Sequence, residues 1–174
     1  LNTARRQFGG IGISTAALAF AGENPSNAVL TVTENWNGTS WTEVNDLNTA
    51  RNILAGAGTA TAGLAFGGTT PPGTAKTESW DGTNWTDVAD LNTARRNLGG
   101  SGTSTAALAF GGQLNTDVAT GITENWSGTL WTETTDMGTA VMQFGESGIS
   151  NTAALAFGGE TTANVAINQE WNAN

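Results

Sequence analysis

The sequence predicts an all-β fold: a β-propeller of four-stranded blades, about four in this chain, the last incomplete. Three observations carry this. LNTAR opens units at Leu1, Leu47 and Leu91, and a degenerate MGTAV opens one at Met137, at spacings of 46, 44 and 46 residues. A TAALAF-type segment starts at Thr15, Thr61, Thr105 and Thr152. A Trp hairpin then begins at Thr33, Thr77 and Thr123, and the fourth unit ends at QEWNAN with Trp171 its one Trp. Repeated units of about 40–50 residues, each with four short alternating segments, are the signature of propeller blades. No stretch sustains the apolar stripe of a helix. The blades fall at about 1–46, 47–90, 91–136 and 137–174, in a single propeller segment.

The elements follow in order within each unit. The first strand is Gly-rich (QFGGIGI, NILAGAG, RNLGGSG, QFGESGI), as suits an innermost strand where backbones crowd around an axis. The second is the TAALAF segment. It ends in the glycine pairs Gly67-Gly68, Gly111-Gly112 and Gly158-Gly159. The third and fourth strands form the Trp hairpin. Asn37-Gly38 and Asp81-Gly82 predict two-residue type I′ turns, with Ser127-Gly128 a weaker signal. That register sets Trp36 opposite Thr39, with Trp41 a diagonal neighbour on the same face. Trp80 with Trp85 and Trp126 with Trp131 repeat the arrangement.

An Arg after a short crossover, a glycine pair closing the second strand and an aromatic-turn-Trp hairpin resemble the Kelch repeat along the whole chain. The matching positions are Arg5, Arg51 and Arg95, the glycine pairs and the Trp pairs. Trp36, Trp80 and Trp126 depart from the pattern, which usually has Tyr there, and the hairpin turn is shorter. The Ala/Thr/Asn-rich wording is also similar to repeat proteins of marine and cyanobacterial phages. That resemblance implies a virion component, such as a tail fibre or surface protein.

Composition narrows the functions. The net charge of −9 disfavours nucleic acid and anionic membrane as partners. No apolar run reaches the ~18 residues of a membrane-crossing helix. Cys, His and Tyr are all missing from the sequence, which removes thiol nucleophiles, the usual general base, soft metal ligands and Tyr-based glycosidase chemistry. A carboxylate pair for glycoside hydrolysis stays formally open. However, the acids recur at matching positions (Glu34, Glu78, Glu124; Glu43, Asp87, Glu133; Asp46, Asp90, Asp136), as scaffolding does. No metal or cofactor is expected. Asn37, Asn84 and Asn125 open glycosylation-type triplets at repeat-conforming positions, where the repeat alone accounts for them.

Two repeated features admit more than one reading. Asp46 precedes Arg51, and Asp90 precedes Arg95, by five residues. Such pairs either staple the crossovers or form a charged ring that grips a ligand, and the staple is favoured because every blade junction needs interface contacts. The Trp pairs are expected in the inter-blade core rather than on a sugar-binding surface.

The segments after the second strand vary in length and chemistry: Glu23 to Leu30, Thr69 to Lys76, Gln113 to Gly121 and Glu160 to Ala166. Loops on a rigid scaffold carry recognition, although neutral drift also varies loops. The candidate binding residues are Asn24, Asn27, Thr70, Pro71, Pro72, Lys76, Asn115, Asp117, Thr161 and Asn164. Arg5, Arg51 and Arg95 mark the candidate crossover face beside them. Pro71-Pro72 stiffens one loop and lowers its ordering cost.

The expectation is a non-enzymatic interaction or structural module, extracellular or on a virion, with protein (virion subunits or a host surface receptor) or glycan as partner. A secreted carbohydrate-binding propeller is the second expectation and a glycan-active enzyme the third. The fourth unit stops about eight residues short of a repeat. Completing the ring is therefore expected to need more of the same chain or further copies.

Overall fold

The computed structural model describes residues 1–172, all-β and without helices. Four small antiparallel sheets surround a common axis in a four-blade propeller arrangement. The first blade pairs β1 (Gly9–Ile13), β2 (Ala16–Phe20), β3 (Thr33–Trp36) and β4 (Trp41–Val44) in sequence order. The second repeats this with β5 (Ala55–Thr59), β6 (Ala62–Phe66), β7 (Thr77–Trp80) and β8 (Trp85–Asp87). In the third unit a crossover strand β9 (Arg95–Arg96) precedes β10 (Gly99–Gly102) and β11 (Ala107–Phe110). A loop strand β12 (Gln113–Leu114) pairs with β9, and β13 (Thr123–Trp126) and β14 (Trp131–Glu133) complete that blade. The fourth sheet has three described strands, β15 (Gly145–Ser150), β16 (Ala153–Phe157) and β17 (Asn168–Asn172).

The innermost strands are β1, β5, β10 and β15, and their glycines answer to crowding. A Cβ on Gly100 would stand 2.6 Å from the Gly56 carbonyl oxygen and 2.8 Å from the Phe66 ring, inside the preceding blade. Only a residue without a side chain lets successive blades approach this closely.

The seams are built by aromatic residues. Trp85 meets Phe20 edge-on at 5.1 Å between ring centroids, and its indole N–H donates to Thr33 Oγ1 at 3.1 Å. Trp131 repeats this against Phe66, at 4.9 Å, and Thr77 Oγ1. Each indole thus fills an apolar seam and still satisfies its one donor. Trp80 and Trp126 are buried behind them, at 1% and 2% exposure. Trp36 is only half-buried, because no blade precedes its own in the described residues.

The hairpin turns differ from the type I′ expectation. Trp36 lies directly opposite Trp41, as do Trp80 and Trp85, and Trp126 and Trp131, so each connection has four residues. Only the glycine, such as Gly38 or Gly82, has positive φ. The side chain at the turn's first position explains this. Asn37 Oδ1 accepts the N–H groups of Thr39 and Ser40, and Asp81 Oδ1 accepts those of Thr83 and Asn84. That Asx-type cap satisfies the loop locally and leaves the two Trp rings paired at a tilt of 39–45°, with centroids 5.3–5.6 Å apart.

Candidate functional site: the crossover face and the axial channel

The repeated arginines lie inside the crossovers. The side chains of Arg5, Arg51 and Arg95 and of their partners Glu34, Glu78 and Glu124 are all 0% exposed. Arg95 Nη1 donates to Glu124 Oε1 at 2.5 Å, and its Nη2 donates to the Ala109 carbonyl. Each Glu also accepts backbone N–H groups from the crossover: Asn2 and Thr3, Asn48 and Thr49, Asn92 and Thr93. The expected Asp46–Arg51 and Asp90–Arg95 staples do not form. Asp46, Asp90 and Asp136 instead cap the N–H groups of Thr33, Thr77 and Thr123. The cause is topological: sheet pairing carries the Glu of the same unit's third strand to each Arg.

The three pairs are not equal. Arg51 Nη1 lies 3.2 Å from Glu78 Oε1 but off hydrogen-bond geometry. Desolvation raises the Glu78 carboxyl above its ordinary value despite Arg51 and the two amides. At Glu34 desolvation pushes upward too, but the Asn2 and Thr3 amides and Arg5 outweigh it and hold the carboxyl low. Desolvation lowers the guanidinium pKa of Arg51 and Arg95.

The variable loops are hydrogen-bonded to the crossovers, so both share one face. Arg6 and Glu23 exchange backbone hydrogen bonds, as do Asn52 and Thr69, and Met142 and Glu160. Most candidate loop residues also have local roles. Asn24 Oδ1 caps the N–H groups of Ser26 and Ala28, and Asn27 Oδ1 accepts from Arg6. Thr70 N–H donates to the Pro72 carbonyl across the cis Pro71-Pro72 bond. Lys76 Nζ stands 3.6 Å from Asp90. Asn115 Nδ2 donates to the Gly73 carbonyl, joining the loops of the second and third blades. Asp117 pairs with Arg96, Thr161 N–H donates to the Ala163 carbonyl, and Asn164 bridges to Glu160.

The face leads into an axial channel with two features the sequence reading missed. At its mouth, Gln7, Ile53, Asn97 and Gln143 all have positive φ, between 47° and 55°. Ile53 N–H donates to the Gln7 carbonyl, Asn97 to Ile53 and Gln143 to Asn97, a backbone relay from blade to blade. Deeper in, a cavity of about 470 Å³ is lined by the inner strands of all four blades. Among its described lining residues Glu146 alone is ionisable. It stands where the other units have Gly10, Gly56 and Gly100, and its Oε2 accepts Gly100 N–H at 2.8 Å. Desolvation by the surrounding walls raises its carboxyl to about 7, offset in part by that hydrogen bond, although the residue stays exposed to the cavity. The signal was present in the sequence: an acid that breaks the repeat.

Among the described residues no three His, Cys, Asp or Glu side chains gather as metal ligands. No helix is long and apolar enough to cross a membrane. In comparison with known proteins, no family model matches the chain and no curated protein matches it.

Proposed function

We propose that this chain is a non-enzymatic interaction and structural module that recognises its partner through the crossover-face loops. One observation carries this: the residues repeated from blade to blade are consumed by the fold. The Arg–Glu pairs are sealed, the second and third Trp pairs are buried, and the repeated Asp residues cap backbone. What differs between units and stays accessible is the loop set, held on a rigid scaffold as recognition loops are. The absence of His, Cys and Tyr from the sequence supports a role without catalysis. The similarity of the repeat wording to phage repeat proteins favours a virion component, a tail fibre or surface protein that touches host or neighbouring subunits. Such a partner is a protein surface or a glycan.

A carbohydrate-binding role is the second reading, favoured by the half-exposed Trp36–Trp41 pair, an aromatic surface 5.6 Å between centroids. A glycan array separates the two. Selective binding that survives replacement of all four loops by Gly-Ser, and is lost in Trp41→Ala, supports the Trp surface. Binding lost with the loops supports the crossover face, and silence on the array directs the search to a protein partner.

A further inference from the structure

The acids that point into the propeller are of two kinds. Glu34, Glu78 and Glu124 each face an Arg, with N–O distances of 2.8, 3.2 and 2.5 Å. Glu146 forms no ion pair among the described residues, and its hydrogen bond there is the one that Oε2 accepts from Gly100 N–H. A carboxylate whose surroundings strip it of water, with no counter-charge, is costly to keep ionised. A bound cation would offset that cost.

The surroundings suit such a guest. β10 and β15 are innermost strands and so edges of their sheets, where alternate backbone groups point away from the blade. Gly100 N–H is one of these, and Glu146 takes it. The space for the carboxylate is left by glycine: a Cβ on Gly99 would collide with Glu146 Oε2. Glu146 lines two cavities, the channel of about 470 Å³ and a second of about 220 Å³ at its mouth. Among the described residues neither cavity has another ionisable side chain in its lining. The mouth is walled in part by Phe8, Leu54, Leu98 and Phe144, so apolar surface leads up to a single carboxylate.

We propose that Glu146 anchors a cation site at the mouth of the axial channel, for a primary ammonium group carried on an unbranched alkyl chain. The ammonium donates to the carboxylate, and one charge meets one charge. The methylenes lie along the apolar walls, as a lysine stem lies along apolar surface. A hard divalent ion suits the site less well, because it takes about six or more oxygens and usually several carboxylates. The net charge of −9 draws cations toward the molecule. The anchor needs only the contact between β10 and β15, within the third and fourth units. It is independent of the variable loops, and its failure would leave the loop proposal standing.

The test is a titration of the whole, ¹⁵N-labelled chain with 1,4-diaminobutane, followed by NMR at the Gly100 amide. A saturable shift is expected there, and none with 1,4-butanediol, the neutral analogue of the same length. Glu146→Gln, with its thermal midpoint checked, should weaken binding at least tenfold. Binding needs the ionised carboxyl, whose pKa is about 7, so affinity should fall about tenfold from about pH 8 to about pH 6. Nα-acetyl-lysine methylamide, as a second probe, separates the sources of the group. Tighter binding than the diamine supports the site as a receptor for a partner's lysine, and weaker binding supports it as one for a free amine. No saturable shift at Gly100, an equal shift with the diol, or equal affinity in Glu146→Gln would each overturn the proposal. So would the same concentration dependence at the exposed acids Glu43 and Glu133, which would reduce the effect to diffuse attraction.

Discussion

Val141 and Gln169 stand in the fourth unit where the other three units have a buried Arg–Glu pair. Gln169 takes the register position of Glu34, Glu78 and Glu124, opposite Ala156, and Val141 takes the position of Arg5, Arg51 and Arg95. Both charges are lost together, and Gln169 still holds the crossover through Thr139, accepting its N–H at 2.7 Å and donating to its carbonyl. A neutral amide does the carboxylate's backbone work once no cation needs a partner.

That substitution defines a double-mutant cycle. Glu124→Gln alone strands Arg95 without a counter-charge and should cost about 3–5 kcal/mol, the usual effect of breaking a buried pair. Arg95→Val with Glu124→Gln, copying the fourth unit, should recover most of it. Urea denaturation measures all four corners. Strict additivity would mean the pair is not coupled.

Position in the ring grades the tryptophans. Trp80→Ala should cost about 3–5 kcal/mol, the range for deleting a buried large aromatic. Trp36→Ala should cost clearly less, because its indole is only half-buried among the described residues. Thermal or urea midpoints of the two variants decide this, and equal losses would contradict the account.

The Glu146 carboxyl gives a pH signature of definite sign. Its folded-state pKa of about 7 lies above the ordinary carboxylate value. Between the two the folded chain binds more protons than the unfolded one, so this group's contribution to stability falls as pH rises. Glu78, raised in the same direction, adds to that slope, and Glu34, lowered, opposes it below the ordinary value. Glu146→Gln should flatten the decline between about pH 4.5 and 7 in a series of denaturation curves. An unchanged slope would show that water in the channel screens the group fully.

Repetition made the blades, the Gly-rich inner strands and the Trp seams legible in the sequence, because every seam must solve the same packing problem. What repetition could not reveal was which residues the sheet brings together. Asp46 looked like the partner of Arg51 at a separation of five, yet strand pairing carries in Glu78 from 27 positions away. The hairpins read as two-residue turns from Asn37-Gly38, because the Asn side chain's capture of two loop amides is invisible in a turn dipeptide. Glu146 was missed for the opposite reason: its position is Gly10, Gly56 and Gly100 in the other units, so no recurring acid marks it.

Hydrogen–deuterium exchange of the chain, alone and within its native assembly, shows directly which face meets the partner. Recognition through the crossover face gives added protection at its loops, residues 23–30, 69–76, 113–121 and 160–166. Protection at the hairpin turns on the opposite side, residues 37–40, 81–84 and 127–130, with the loops unchanged, would contradict it.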